Sequence, residues 1–596
     1  MPDWSYRTVL RPLLLALGAE RSRRLATSTL RTLSRVPLGL QAIDFLGHMR
    51  ADARLRTRAG DVELPGPIVL GAMIDPRGDA LPAFSRFGAG MVEVGPVAER
   101  GNGVRPEWRV DLQQRTIACP QQLTVSVDDV ARNLERTAPR VPVCVRIAKQ
   151  DAAAVRRIVE RLQPYAAIFV VDPDNVDDAL GERPVLSAQT IHERAAGVWM
   201  SGDAASVRAA RARLGSGAII VAGGATEPHD VRELLDAGAT LAAVDAGLVC
   251  SGPGLIKRCN EALLSSAPVV ATEPEPLTLD AARRSWFWAF LMGVGMFLGG
   301  VMAVVIASTR VVLPYDESLC GLTRAQMVSL NPRLLPFMAH DRISLAGSML
   351  SIGIFYAALG WSGIRRGAHW AQVTVVVSAL TGFLSFFTFL GFGYFDPFHA
   401  FVTAILSQFM LLCMVMQPSP PQPPVAEWHE STAWRRGQWG QMLFILLGIG
   451  LTGAGLVMTA IGCTQVFVAS DLEFMRTTAA QLSLSYERLV PLVAHDRASL
   501  GGMLIANGIA VWLCAQWGFR AGARWLWRAL AWGGNLAFVF AIGVHFVVGY
   551  SEPLHLAPAI LGWALWNVAL LLTKEWLTAP AAAPAPSHPR QSAIAS

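Results

Sequence analysis

From about residue 285 the chain carries apolar segments long enough to cross a bilayer, and before that point it carries none. By apolar length the spans are approximately 286–308, 344–362, 372–393, 398–416, 440–461, 499–517, 527–548 and 555–573. This break fixes the fold class in two parts, a soluble region and an all-helical membrane region. Such segments must satisfy their backbone polar groups internally, which for runs this apolar means helices. The composition agrees: 52% of residues are hydrophobic and only 16% are charged. A net charge of +6 comes from arginines near the ends of the apolar segments. That placement points to anionic lipid head groups and the lipid bilayer, not to nucleic acid.

The membrane region reads as two copies of one four-helix unit, offset by about 155 residues. The run from Ala339 through His340, Asp341 and Arg342 to Gly347 matches the run from Ala494 through His495, Asp496 and Arg497 to Gly502. Tyr394, Asp396, Pro397 and His399 match Tyr550, Glu552, Pro553 and His555, and Asp316, Gln326, Arg333 and Pro336 match Asp471, Gln481, Arg488 and Pro491. Four spans per copy is even, so both copies share one orientation, as in a parallel repeat. The Pro-rich stretch Pro418–Pro424 between the copies reads as an extended linker.

Basic residues set the orientation. Arg283, Arg284, Arg365, Arg366, Arg435, Arg436, Arg520, Arg524 and Arg528 all fall on the side of the soluble region, which is therefore expected in the cytoplasm, at a cell inner membrane. The His-Asp-Arg and Tyr-x-Asp/Glu-Pro-x-His motifs then face the other side. Within each copy, His340 with His399 and Asp396, or His495 with His555 and Glu552, would offer metal ligands or a proton relay. The alternative is that Asp341–Arg342 and Asp496–Arg497 are interfacial charge pairs and the histidines cap helices; no metal is assigned. No charge lies deep in a span, which argues against an ion-coupled transporter. The eight cysteines form no CxxC pair and no metal-ligand spacing.

The soluble region alternates short apolar runs with helical stretches. The runs are Pro67–Leu70, Met91–Val94, Val141–Ile147, Ala167–Val171, Pro184–Leu186, Gly197–Met200, Ala218–Val221 and Leu241–Val244. Buried parallel strands read this way, and eight units in about 200 residues suggest a closed (β/α)8 barrel over an open sheet. Gly223, Gly224 and Gly247 follow the last two strands, where backbone N–H groups approach a phosphate; a tight turn is the alternative. At the N-terminus Leu10, Leu13, Leu14 and Leu17 recur at helical spacing, and arginines interrupt any signal-peptide core. This helix either lies on a membrane surface or packs on its own domain.

Several of these motifs resemble the quinone-linked dihydroorotate dehydrogenases over about residues 5–265. They are Arg11-Pro12-Leu13-Leu14, Gly71-Ala72 to Gly78, Phe87 to Val97, Ile219 to Gly224, and Gly247 to Lys257, the last being the most specific. The resemblance implies a (β/α)8 barrel that binds FMN, oxidises dihydroorotate to orotate and passes electrons to quinone. Departures from the family pattern fall on its catalytic groups. Asp75-Pro76-Arg77-Gly78 has proline where the family has a flavin-contacting lysine, and Cys119-Pro120-Gln121-Gln122 stands where an asparagine-rich loop grips substrate. Val171-Asp172-Pro173-Asp174-Asn175 has no serine where the family has its catalytic one, leaving Asp172 as the candidate base. The strand-five lysine and strand-six asparagine are also absent.

The expected organisation is thus an amphipathic segment at 1–40, a barrel at 41–270, membrane repeats at 285–417 and 439–574 around a linker at 418–438, and a disordered tail at 575–596. Two functions compete: a membrane-tethered flavoenzyme feeding quinone, or a catalytically degenerate barrel, a pseudoenzyme, that senses a ligand or acts as a scaffold for the membrane region.

Overall fold

The computed structural model describes residues 3–49, 52–104, 107–119, 123–137, 139–177, 180–265, 279–388, 395–422, 425–485 and 487–580. They divide into two compact units. One holds the N-terminal region to residue 268 with the short segment 423–431; the other holds 269–422 and 432–580.

The first unit is a closed parallel barrel of eight strands. These are β1 (Ile68–Leu70), β2 (Met91–Ala98), β3 (Val143–Ile147), β4 (Ile168–Val171), β5 (Val185–Ala188), β6 (Gly197–Ser201), β7 (Ile219–Gly223) and β8 (Leu241–Val244). Neighbours pair in sequence order and β1 closes on both β8 and β2. Strand residues point alternately in and out. Met91, Cys144, Val170, Leu186, Trp199 and Val221 fill the interior, while the alternate residues pack under the outer helices. Two antiparallel hairpins that apolar runs did not reveal, Thr57–Leu64 and Arg109–Ala118, flank this barrel.

The N-terminal helices are tied to the barrel by polar bonds. Asp3 accepts from the Gly254 N–H at 2.7 Å, the Tyr6 hydroxyl donates to the Val249 carbonyl at 2.7 Å, and Arg11 donates to the Cys250 carbonyl at 2.7 Å. Leu10, Leu13 and Leu17 stay exposed, so the apolar stripe faces away from the domain that anchors it. Of the two expectations for this segment, packing on its own domain is what the structure shows, with an apolar face left exposed.

The second unit is helical: α1 (Ser285–Thr309), α2 (Leu334–Ala358), α3 (His369–Thr388), α4 (Pro397–Val415), α5 (Thr432–Cys463), α6 (Leu489–Gly518), α7 (Arg524–Val548) and α8 (Pro553–Thr578). Among the described residues seven of these are long and apolar enough to cross a membrane. The remaining one, α3, covers most of the span expected at 372–393, whose last five residues lie outside the described ones. Helix α5 begins at Thr432, inside the stretch read as linker.

Both halves show the same order of elements. Two short helices follow α1 (Pro314–Cys320 and Arg324–Leu330), and two follow α5 (Ala469–Met475 and Ala479–Ser485). Glycines let the long helices touch: a Cβ on Gly293 would meet the Ala357 backbone at 2.2 Å, and one on Gly448 would meet Trp512 at 2.6 Å. Small residues allow this close approach where lipid supplies no hydrophobic drive.

Candidate functional site

At the C-terminal mouth of the barrel Glu93 and Arg146 form an ion pair, with the Asp245 carboxyl close by. Arg146 lies 2.7 Å from Glu93, and its guanidinium sits 4.8 Å over the Trp199 ring. Glu93 also accepts from the Ala72 N–H at 3.0 Å, and the Asp245 carboxylate accepts from the Met73 N–H. Asp245 lies so close over Gly71 that a Cβ there would fall 1.6 Å from its oxygen. The donors of the loop after β1 are therefore held by the barrel's own carboxylates. Burial and the neighbouring Glu93 charge push the Asp245 carboxyl up to about 7. Burial also lifts Asp75 to about 6, against two N–H bonds from Ala80 and Asp79 that hold it down.

The structure puts Asp172 immediately after β4, on the expected rim. Its Oδ1 accepts from the Asp174 N–H at 3.1 Å and lies 3.4 Å from Lys149 Nζ. It caps the turn Pro173–Asn175 and forms a partly exposed ion pair with Lys149. The three glycines behave differently from one another. Gly224 has a φ of +106° and a Cβ there would meet nothing within 4 Å, leaving an open cradle. Gly223 has room too. At Gly247 a Cβ would strike the Ala225 carbonyl at 2.5 Å, so this glycine serves packing. Beyond the cradle, the N–H groups of Thr226 and Glu227 donate to Asp230, at 2.8 and 2.9 Å. The loop at Pro120–Gln122 lies outside the described residues.

A buried cluster near the end of β8 includes residues from far along the chain. Glu430 pairs with Arg7, with Arg258 at 3.2 Å and with Arg115 at 3.2 Å, and His429 lies 3.0 Å from Glu227. Residues expected to be free linker thus hold a barrel cluster, because a buried carboxylate needs several cations around it.

In the membrane unit the repeated motifs meet across the two copies, which corrects the within-copy sets expected from spacing. Arg342 binds Asp496 at 2.8 Å and its own copy's Asp316 at 2.9 Å. Arg497 binds Asp341 at 3.2 Å and its own copy's Asp471 at 2.7 Å. Asp341 and Arg342 are therefore not partners, and all these groups are buried or nearly so. The histidines follow the same exchange. His340 Nε2 lies 2.9 Å from His545 Nε2, with His555 completing a group of three. His495 Nε2 lies 3.3 Å from His399 Nδ1, with Asp396 beside them.

The two motif carboxylates cap helices. Asp396 accepts from the His399 N–H at 2.9 Å, and Glu552 from the His555 N–H at 2.8 Å, each just ahead of a proline at the first helical position. Glu552 therefore stands outside the histidine group. Tyr550 donates to Asp471 at 2.8 Å; its counterpart Tyr394 lies outside the described residues. His545 escaped the sequence comparison because the first copy has Phe389 at the matching position, so duplication gave no signal. A cavity of about 200 Å3 runs between α1, α2, α4 and α6, walled by Met296, Met349 and Met503. Arg342, Asp396, His399, His495 and Asp496 are among its polar lining.

No family model matches the chain. It is 27% identical over 354 aligned residues to the dihydroorotate dehydrogenase (quinone) of Chloroflexus aurantiacus, covering 44% of this chain and 97% of that protein. To the enzyme of the same name from Kineococcus radiotolerans it is 31% identical over 186 residues, covering 28% of this chain and 50% of that one. Among solved structures, the DHODH–ferulenol complex from Eimeria tenella aligns at a TM-score of 0.33 and 17% identity, over 41% of this chain and 90% of that one. The chain therefore joins a parallel eight-stranded barrel similar to the quinone-dependent dihydroorotate dehydrogenases to a helical unit that has, among the described residues, seven membrane-length helices.

Proposed function

We propose that this is a multi-pass membrane protein whose barrel has lost dehydrogenase chemistry and serves as a ligand-sensing or scaffolding module. The barrel mouth carries the reading. FMN, which the resemblance implies, needs donors and acceptors around its ring and free N–H groups at its phosphate. Here the loop donors at Ala72 and Met73 are taken by Glu93 and Asp245, and Arg146 lies paired over Trp199. The N–H groups of Thr226 and Glu227 are taken by Asp230. Among the described residues the Gly223–Gly224 cradle stays open, and the donor set does not fit the flavin. Nor does it supply a base, since Asp172 is spent on a turn and on Lys149. Loss of groups that act as a unit abolishes a reaction rather than trimming it. The arginine distribution supports a cytoplasmic barrel. Titration of FMN with the detergent-purified protein tests the reading: flavin fluorescence is expected to stay unquenched, and stoichiometric quenching would overturn it.

The cavity beside His399 and His495 favours one ligand class for the membrane unit, an apolar ring compound with polar edges, such as a quinone. A water-soluble quinone analogue is expected to raise the thermal midpoint of the wild type but not of Met349→Trp, which fills the cavity. An equal rise in both would place the analogue elsewhere.

A further inference from the structure

We infer that the histidine group His340, His545 and His555 is a binding site for a divalent first-row transition-metal ion. The bond to the Ala541 carbonyl assigns the His545 tautomer. His545 Nδ1 lies 2.6 Å from the Ala541 carbonyl, one turn back on α7, so this nitrogen carries the proton and Nε2 carries the lone pair. His340 Nδ1 lies 3.0 Å from the Asp341 carboxylate, out of line for a hydrogen bond, and both of these buried atoms lack a hydrogen-bond partner among the described residues. The His545 lone pair faces His340 Nε2 across 2.9 Å. Two nitrogens ligating one small metal ion are spaced about this far apart. His555 supplies a third nitrogen, all three lying within 4.8 Å of one another.

The surroundings are those of a built site. Asp341 stands 3.0 Å behind His340, where a carboxylate commonly stands behind a metal-ligating histidine. Arg497 holds that carboxylate in place at 3.2 Å. His340 and His545 are both buried. Three imidazoles without a thiolate suit zinc, copper, nickel or ferrous iron, and reject calcium and magnesium. The other copy offers His399, His495 and Asp396 in the corresponding place, so a second ion of the same class fits there.

The probe is Co2+, whose visible absorption reports its ligand geometry. Full-length protein in detergent is stripped with a chelator, dialysed and titrated. Wild type is expected to bind two Co2+ per chain, one for each histidine group, with absorption bands of a four- or five-coordinate site. His545→Phe places at this position the residue that the first copy carries, and His555→Gln keeps a polar side chain. Each is expected to lose one of the two equivalents and keep the other. If the stripped wild type takes up no Co2+, or if both variants bind as much as wild type, the site holds a shared proton only and the inference falls. Stripped wild type that is as thermally stable as protein with metal restored would also count against it.

Discussion

Arg342 and Arg497 each bridge two carboxylates, one from their own copy of the repeat and one from the other. A buried guanidinium left with too few partners is costly, because the desolvation of the charge is no longer offset. Asp341→Ala is therefore expected to destabilise the membrane unit by about 3 kcal/mol, read as a fall in thermal midpoint. Arg497→Ala in the same chain should add much less than its own separate effect, with a coupling of about 1–3 kcal/mol. Simple additivity would show that the pair does not interact. In the barrel, Asp245 and Asp75 both have carboxyls raised above the ordinary range, to about 7 and about 6. The native barrel then holds protons that the unfolded chain has released. Its stability should fall as pH rises from about 4 to about 7 and level off above. Asp245→Asn should flatten much of that fall, measured as the urea concentration at which barrel loops become protease-sensitive. An unchanged slope would contradict the placement of Asp245. At this scale the sequence was informative about identity but not about pairing. Duplication marked His340, Asp341 and Arg342 as a set with His495, Asp496 and Arg497. Which residues match is a property of the chain, while which residues meet depends on how the copies pack.

Helix pairs α1–α2 and α5–α6 rest on glycines at matching positions in the two copies. Gly293, Gly300 and Gly353 serve the first pair, and Gly448, Gly455 and Gly508 serve the second. Backbone atoms of the facing helix lie within 3 Å of the missing Cβ at each, so no side chain can rotate out of the way. Gly353→Val and Gly508→Val are each expected to abolish recovery of monodisperse protein in detergent, whereas Gly450→Val, where the Cβ meets nothing within 4 Å, should be tolerated. Equal recovery of all three would rule out close helix contact. Elements were legible where one physical signal dominates. Long apolar runs marked the spans, and short apolar runs marked the barrel strands to within a few residues. The hairpins at Thr57–Leu64 and Arg109–Ala118 were not legible, since three-residue strands with exposed positions show neither period nor apolar run.

At the scale of the molecule the chain combines a barrel whose mouth holds the Glu93–Arg146 ion pair and the Asp245 carboxyl with a helical unit whose polar groups converge from its two halves. The barrel was readable because its strand runs and terminal glycines persist while the family's catalytic groups do not. What the sequence could not convey is that Glu93, Arg146 and Asp245 occupy the mouth, because each is unremarkable on its own strand and the three meet only when the barrel closes. The most direct test of the central claim is an anaerobic visible spectrum of the detergent-purified full-length protein before and after dihydroorotate is added. The account predicts no flavin band and no change on addition. A flavin band that bleaches with dihydroorotate and recovers with a quinone would contradict it.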